Sequence, residues 1–241
     1  MRLFHRPKAV VPLVSLALAT AALVSLPGQA NAAPCLQWFA EDSAGLISSG
    51  PICDGSVQDL NPGAGIITVI VSGTGGWNFN VETGFSKPAV GSPFIPELDI
   101  VFSGLSSGAG SLALLLWDTD FLATGSIDAT LAIGGTGASG ATVHQRVGFH
   151  GTNAGGPWPA IASHSFGPFS FPSTAFSGAV PVIYEALTAP YSLAMDVRIV
   201  HTAAGITTGN ASFRVPEPGT LALLGLGLAG IGFAARRRRD L

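Results

Sequence analysis

Residues 66–82 read Ile66-Ile67-Thr68-Val69-Ile70-Val71-Ser72-Gly73-Thr74-Gly75-Gly76-Trp77-Asn78-Phe79-Asn80-Val81-Glu82, and this stretch decides the fold. Five of the first six side chains are Ile or Val, whose branched Cβ suits a pleated strand better than a helix. After a Ser/Gly/Thr turn, Trp77, Phe79 and Val81 alternate with Asn78, Asn80 and Glu82, the period of two of a half-buried strand. Two strands joined by a glycine-rich turn predict antiparallel pairing.

Working outward, similar segments recur: Leu98 to Ser103, Ser111 to Trp117, Ser126 to Ile133, Ala141 to Phe149, Val180 to Leu187, Tyr191 to His201 and Ile206 to Val215. Gly/Pro/Ser clusters such as Gly134-Gly135-Thr136-Gly137 separate them. No long 3.6-residue amphipathic pattern interrupts the series, which argues against an α/β fold. The expectation is an all-β body, an antiparallel β-sandwich or jelly roll, in one domain. Gly151 to Gly178, rich in Pro, Phe and Ser, reads as a long connection packed by its aromatics. Residues 33–215 are numerous enough to bury a sizeable core.

Charge narrows the function. Within 33–215, twelve carboxylates face four cations (Lys87, Arg146, Arg198 and Arg214), a net of −8. Such a body has no basic footprint for nucleic acid. The two cysteines, Cys35 and Cys53, read as a disulfide in an oxidising compartment. Closing that loop is worth about 3 kcal/mol on the chain-entropy argument.

Candidate chemistry is sparse. Gly104-Leu105-Ser106-Ser107-Gly108 has the spacing of a nucleophile elbow, but the following residues read as a strand where the elbow needs a helix. With 32 glycines in the chain such spacings arise by chance, so a tight hairpin turn is the preferred reading and no catalytic residue is assigned. Asp118 and Asp120, with Asp128 near, are weak calcium candidates, since oxygen clusters on exported β proteins suit that ion. A solvated turn is preferred, and neither a metal site nor a cofactor is expected. His144 and His150 share strand parity. They, His164 and His201 read as ordinary exposed strand residues. Trp38, Trp77, Trp117 and Trp158 are large aromatics, more often core or half-buried than a sugar-stacking platform; for stacking, Trp77 and Trp158, which adjoin turns, are the expected candidates.

Both ends of the chain carry export signals. Arg2, Arg6 and Lys8 precede an apolar stretch from Ala9 to Leu26, then Pro27-Gly28 and the small-residue pattern Ala30-Asn31-Ala32. This predicts a signal-peptide helix over residues 1–32, cut between Ala32 and Ala33 and handled by the Sec export machinery. At the other end, Pro216-Glu217-Pro218 is followed by the uncharged run Leu221 to Ala235 and then Arg236, Arg237, Arg238 and Arg239. A transmembrane helix over about 219–235 is expected, with the arginines (tail 236–241) as its cytoplasmic stop. Leu221 to Ala235 spans only about 22 Å of helix at roughly 1.5 Å per residue, short of a core about 30 Å thick. Gly225, Gly227, Gly230 and Gly232 weaken it further, by about 1 kcal/mol each in water. A short, glycine-rich span suits temporary retention better than permanent anchoring.

In order, spacing and composition, residues 216–241 resemble the PEP-CTERM sorting signal of Gram-negative bacteria. Pro216, Glu217 and Pro218 match its signature, Leu221 to Ala235 its helix, and Arg236 to Arg239 its tail. The alternatives are a simple C-terminal anchor or a sortase signal, the latter disfavoured because Leu-Pro-x-Thr-Gly is absent. The resemblance implies an exosortase as partner, a membrane protease that removes the helix near the tripeptide. It further implies release to the cell surface or extracellular matrix, in company with exopolysaccharide and biofilm. The expectation is therefore a non-catalytic surface or matrix protein. The alternative is a secreted hydrolase of matrix polymers, which Ser106 beside a histidine would favour.

Overall fold

A computed structural model describes residues 33–156, 164–170, 174–216 and 227. The expected signal peptide with Ala30 and Ala32, the expected membrane helix (residue 227 apart), Glu217, Pro218, Arg236 to Arg239 and Trp158 lie outside them. Among the described residues no helix is long and apolar enough to cross a membrane.

The described residues form thirteen strands: β1 (Cys35–Asp42), β2 (Gly45–Ser48), β3 (Ile52–Cys53), β4 (Ile66–Thr74), β5 (Trp77–Phe85), β6 (Glu97–Ser106), β7 (Gly110–Phe121), β8 (Gly125–Thr136), β9 (Thr142–His150), β10 (His164–Ser170), β11 (Ala175–Leu187), β12 (Tyr191–His201) and β13 (Gly205–Arg214). They make two antiparallel sheets, the first ordered β10-β9-β12-β7-β1-β2 with β3 on β1, the second β11-β8-β13-β6-β5-β4. Within them, β7-β12-β9-β10 and β6-β13-β8-β11 wind as the eight strands of a jelly roll. β1 to β3 extend the first sheet beyond β7, and β4 and β5 extend the second beyond β6.

Period-two patterning puts one face of each sheet in a shared core. Leu112, Leu114 and Leu116 of β7 and Leu193, Met195, Val197 and Ile199 of β12 meet Ile127 to Ile133 of β8, Ala211 and Phe213 of β13 and Leu98, Ile100 and Phe102 of β6. Phe149, Tyr184 and Phe213 fill one end, with the Phe149 and Phe213 ring centroids 5.7 Å apart. Gln145, buried among these, donates to the Ser212 carbonyl across the sheets at 3.3 Å.

Cys35 and Cys53 are joined as expected, and the bridge ties β3 to β1 beside the start of the fold. The nine expected strands coincide with β4 to β9 and β11 to β13. The long connection expected over 151–178 is corrected, since it contains β10 and the first residues of β11. Gly167-Pro168 shifts the β10–β9 register between Phe166 and Phe169, which hides the period of two from a reading of the sequence. Gly104 to Gly108 is no hairpin either: it ends β6 and turns across to β7 in the opposite sheet.

Candidate functional site

The outward face of the first sheet holds two of the body's four cations in neighbouring rows. On β9, His144 and Arg146 point to one side; opposite them on β12 stand Arg198 and Asp196, in register as Arg198↔His144 and Asp196↔Arg146. β7 continues the same rows with Ala113 and Leu115, and β1 with Phe39. Two adjoining depressions of about 410 and 300 Å³ share Arg146, Asp196 and Arg198. His144, Pro168 and Val200 line one side, and Phe39, Glu41, Leu46 and Ser111 the other. Together they form a groove running across the strands from β10 to β2. Five inter-strand steps give it a length of about 24 Å.

The polar contacts inside the groove are specific. Arg146 Nε donates to Asp196 Oδ2 at 2.7 Å. Burial pushes the Asp196 carboxyl up, and Arg146, Arg198 and His144 pull it back. Arg198 is 51% exposed. It donates from Nη2 to Ser111 Oγ at 3.2 Å and stands 3.7 Å from Glu41 Oε2, outside hydrogen-bond length. Beside the charged rows the face turns apolar, where Leu115, Trp117 and Ala194 are buried against Cys35. Residues 153–155 close that end. Ser192 Oγ donates to the Ala154 carbonyl at 2.7 Å, and the Asn153 amide pairs with Asp120 at the same distance.

A second polar cluster lies inside, where the turns between sheets gather. Ser106 Oγ is 2.6 Å from His201 Nδ1, and His201 Nε2 is 2.7 Å from Thr207 Oγ1. Sequence reading weighed Ser106 and His201 separately, and β13 running beside β6 and away from β12 brings them together. Ser106 and His201 are each 2% exposed. The Trp77 ring covers the imidazole at 4.8 Å between centroids, and Gly104 lies beneath that ring, where a Cβ would be 3.4 Å from it. A depression of about 320 Å³ bordered by Asp42, Gly76, Ser106 and Ser107 opens nearby. The amide of Ser107, which an elbow would use for an oxyanion, donates to the Gly76 carbonyl at 2.9 Å.

His201 is thus buried rather than an exposed strand residue, and burial holds its pKa below the usual 6.5. The folded state keeps the ring neutral while the unfolded chain takes up a proton near pH 6.5. Its contribution to stability is therefore present above that pH and is lost as pH falls through it toward the folded value. Thermal melts between pH 7.5 and 5 should show wild type losing more stability than His201→Gln, whose amide stays neutral. Parallel pH profiles for the two proteins overturn this.

Other expected sites are corrected. Asp118 is not a solvated turn residue. It is fully buried on β7, where Lys87 Nζ donates to its Oδ2 at 2.8 Å and Ser86 Oγ at 2.6 Å. Burial pushes its carboxyl up against the pull of these donors and of the Thr119 amide. Asp120 points instead to Asn153. Among the described residues no three His, Cys, Asp or Glu side chains gather as metal ligands. Trp77, expected as an exposed stacking ring, is 1% exposed, because its alternation with Phe79 turns both rings into the core. His144 and His150 do share a side of β9, but only His144 reaches the groove. Arg146, Asp196, Arg198 and Glu41 were missed as a group. Their signal was charged residues two apart on adjoining strands of a body with few charges.

Residues 214–239 match the family model of the PEP-CTERM protein-sorting motif. No curated protein matches the chain in sequence. Among solved structures, a carbohydrate-binding module in complex with beta-1,4-galactotriose is 10% identical, covering 57% of this chain and 88% of its own, at a TM-score of 0.32. A structure from the carbohydrate-binding modules of the β-sandwich superfamily is 16% identical over 75% of this chain and 72% of its own, at 0.35. The enzymatically active domain of a tailspike protein from bacteriophage CBA120 is 10% identical over 58% of this chain and 19% of its own, at 0.33. Likenesses this low carry nothing about ligand or chemistry. The sorting motif indicates an exported protein of Gram-negative bacteria and implies exosortase processing.

Proposed function

We propose that residues 33–215 are a non-catalytic polysaccharide-binding body, working at the cell surface or in the extracellular matrix after Sec export and exosortase processing. The observation that carries this reading is the groove across the first sheet. Its length suits a chain ligand, its floor offers Phe39, Ala113 and Val200 to sugar faces, and its walls offer Ser111, Arg198 and Asp196 to hydroxyls. Ligand sites commonly combine such an apolar lining with a few placed polar groups. An exported matrix protein meets exopolysaccharide, and the sorting signal's resemblance points to biofilm.

One observation favours a secreted hydrolase instead, the Ser106–His201 contact. Three features weigh against that chemistry. The imidazole is backed by the Thr207 hydroxyl, which cannot stabilise an imidazolium as a carboxylate does. The Ser107 amide is already bonded, and Ser106 itself is almost wholly enclosed. The cluster reads better as a satisfied polar strut between turns.

Exported protein should bind polysaccharide in affinity electrophoresis without hydrolysing ester, peptide or glycoside probes. Turnover abolished by Ser106→Ala, with the melting temperature retained, would overturn the non-catalytic reading. A groove variant, Phe39→Ala, should weaken binding without unfolding the body, and unchanged binding there would place the ligand elsewhere.

A further inference from the structure

Resting on the polysaccharide reading, we infer that the groove takes an acidic chain: a uronate-bearing polysaccharide whose carboxylates pair with Arg198. The argument begins with where the cations lie. Of the four in the body, Lys87 is enclosed against Asp118, and Arg214 is bound to Glu97 at 2.9 Å and Asp99 at 3.0 Å on the second sheet. Arg146 and Arg198 are left, side by side in the groove with His144 between the same rows.

The two arginines are used differently. Arg146 is committed to Asp196. Arg198 spends one Nη2 donor on Ser111, and a guanidinium carries five in a planar fork matched to a carboxylate. Ser111 Oγ, at 3.4 Å from Glu41 Oε2, also steadies that carboxylate, so Glu41 holds the guanidinium over the groove without capping it. A uronate carboxylate entering between Phe39 and His144 meets the open side of the fork, with the sugar ring over Ala113. The body's overall negative charge opposes this weakly, since repulsion from carboxylates on other faces is screened within about 8 Å at physiological salt.

Glu41 and Arg198 therefore act on an acidic ligand with opposite signs. The test is affinity electrophoresis of the exported protein in polygalacturonate, in neutral galactan and in dextran sulfate. Polygalacturonate should bind most tightly. Arg198→Ala should cost roughly tenfold or more, the scale of a lost charge-assisted hydrogen bond. Arg198→Lys should recover part of it, and Glu41→Gln should tighten binding several-fold, all at unchanged melting temperature. Both residues are half-exposed, so neither change disturbs the core. Equal binding of galactan and polygalacturonate, indifferent to both substitutions, overturns the acidic ligand while leaving a polysaccharide-binding body. Dextran sulfate binding as well as polygalacturonate overturns the carboxylate assignment. Failure of all three polymers overturns the polysaccharide reading itself.

Discussion

Lys87→Met is expected to destabilise the body by about 3–5 kcal/mol, the usual consequence of removing one partner of an enclosed ion pair. That is a large part of the roughly 5–15 kcal/mol that holds a domain together. Lys87 lies in the loop after β5 and is 2% exposed; Asp118, on β7 of the other sheet, is fully enclosed. The ammonium donates to Asp118 and to the Thr119 carbonyl and sits 4.6 Å above the Phe121 ring, so its removal leaves an enclosed carboxylate with no counter-charge, held only by the Ser86 hydroxyl and the Thr119 amide. The double substitution Lys87→Met with Asp118→Leu should recover most of the loss, because no charge is then left unpaired. Urea unfolding monitored by tryptophan fluorescence measures both. A Lys87→Met midpoint within error of wild type means the pair does not hold the sheets together.

What the sequence disclosed followed its periodicity. Wherever a strand alternated cleanly, as in β5, β8 and β12, its place was legible and its inward residues were the core. β10 escaped because Pro168 breaks its ladder. Trp77 shows a signal read twice with opposite results: its neighbouring glycines suggested exposure, its alternation with Phe79 predicted burial, and the alternation decided. The groove could not be read because it depends on strand order. His144 and Arg198 are far apart in sequence and meet only because β12 lies between β9 and β7. Ser106 and His201 meet for the same reason, across two strands that no local pattern joins.

The mature protein should end beyond Val215, with its C-terminus between Pro216 and Leu221, and the uncut form should accumulate in the membrane when the exosortase is deleted. The last strand explains the lower bound. β13 lies inside the second sheet, paired with β6 along Gly205–Arg214 and with β8 on its other side. Its Phe213 and Ala211 are wholly enclosed, and Val215 packs against the core just before the tripeptide begins. A cut upstream of Arg214 would take residues out of a central strand, and a single Phe→Ala change at such a site already costs about 3–5 kcal/mol. The upper bound comes from the signal, which matches from residue 214 to 239. Pro216 to Thr220 spans about 17 Å at most when extended, so the protease works in a narrow gap between the finished fold and the apolar run. Replacing Pro216, Glu217 and Pro218 together should block the cut without lowering the melting temperature, since Pro216 is exposed. Intact-mass measurement of exported protein decides it. A C-terminus at or before Arg214, or an unchanged mass and location without the exosortase, overturns the assignment.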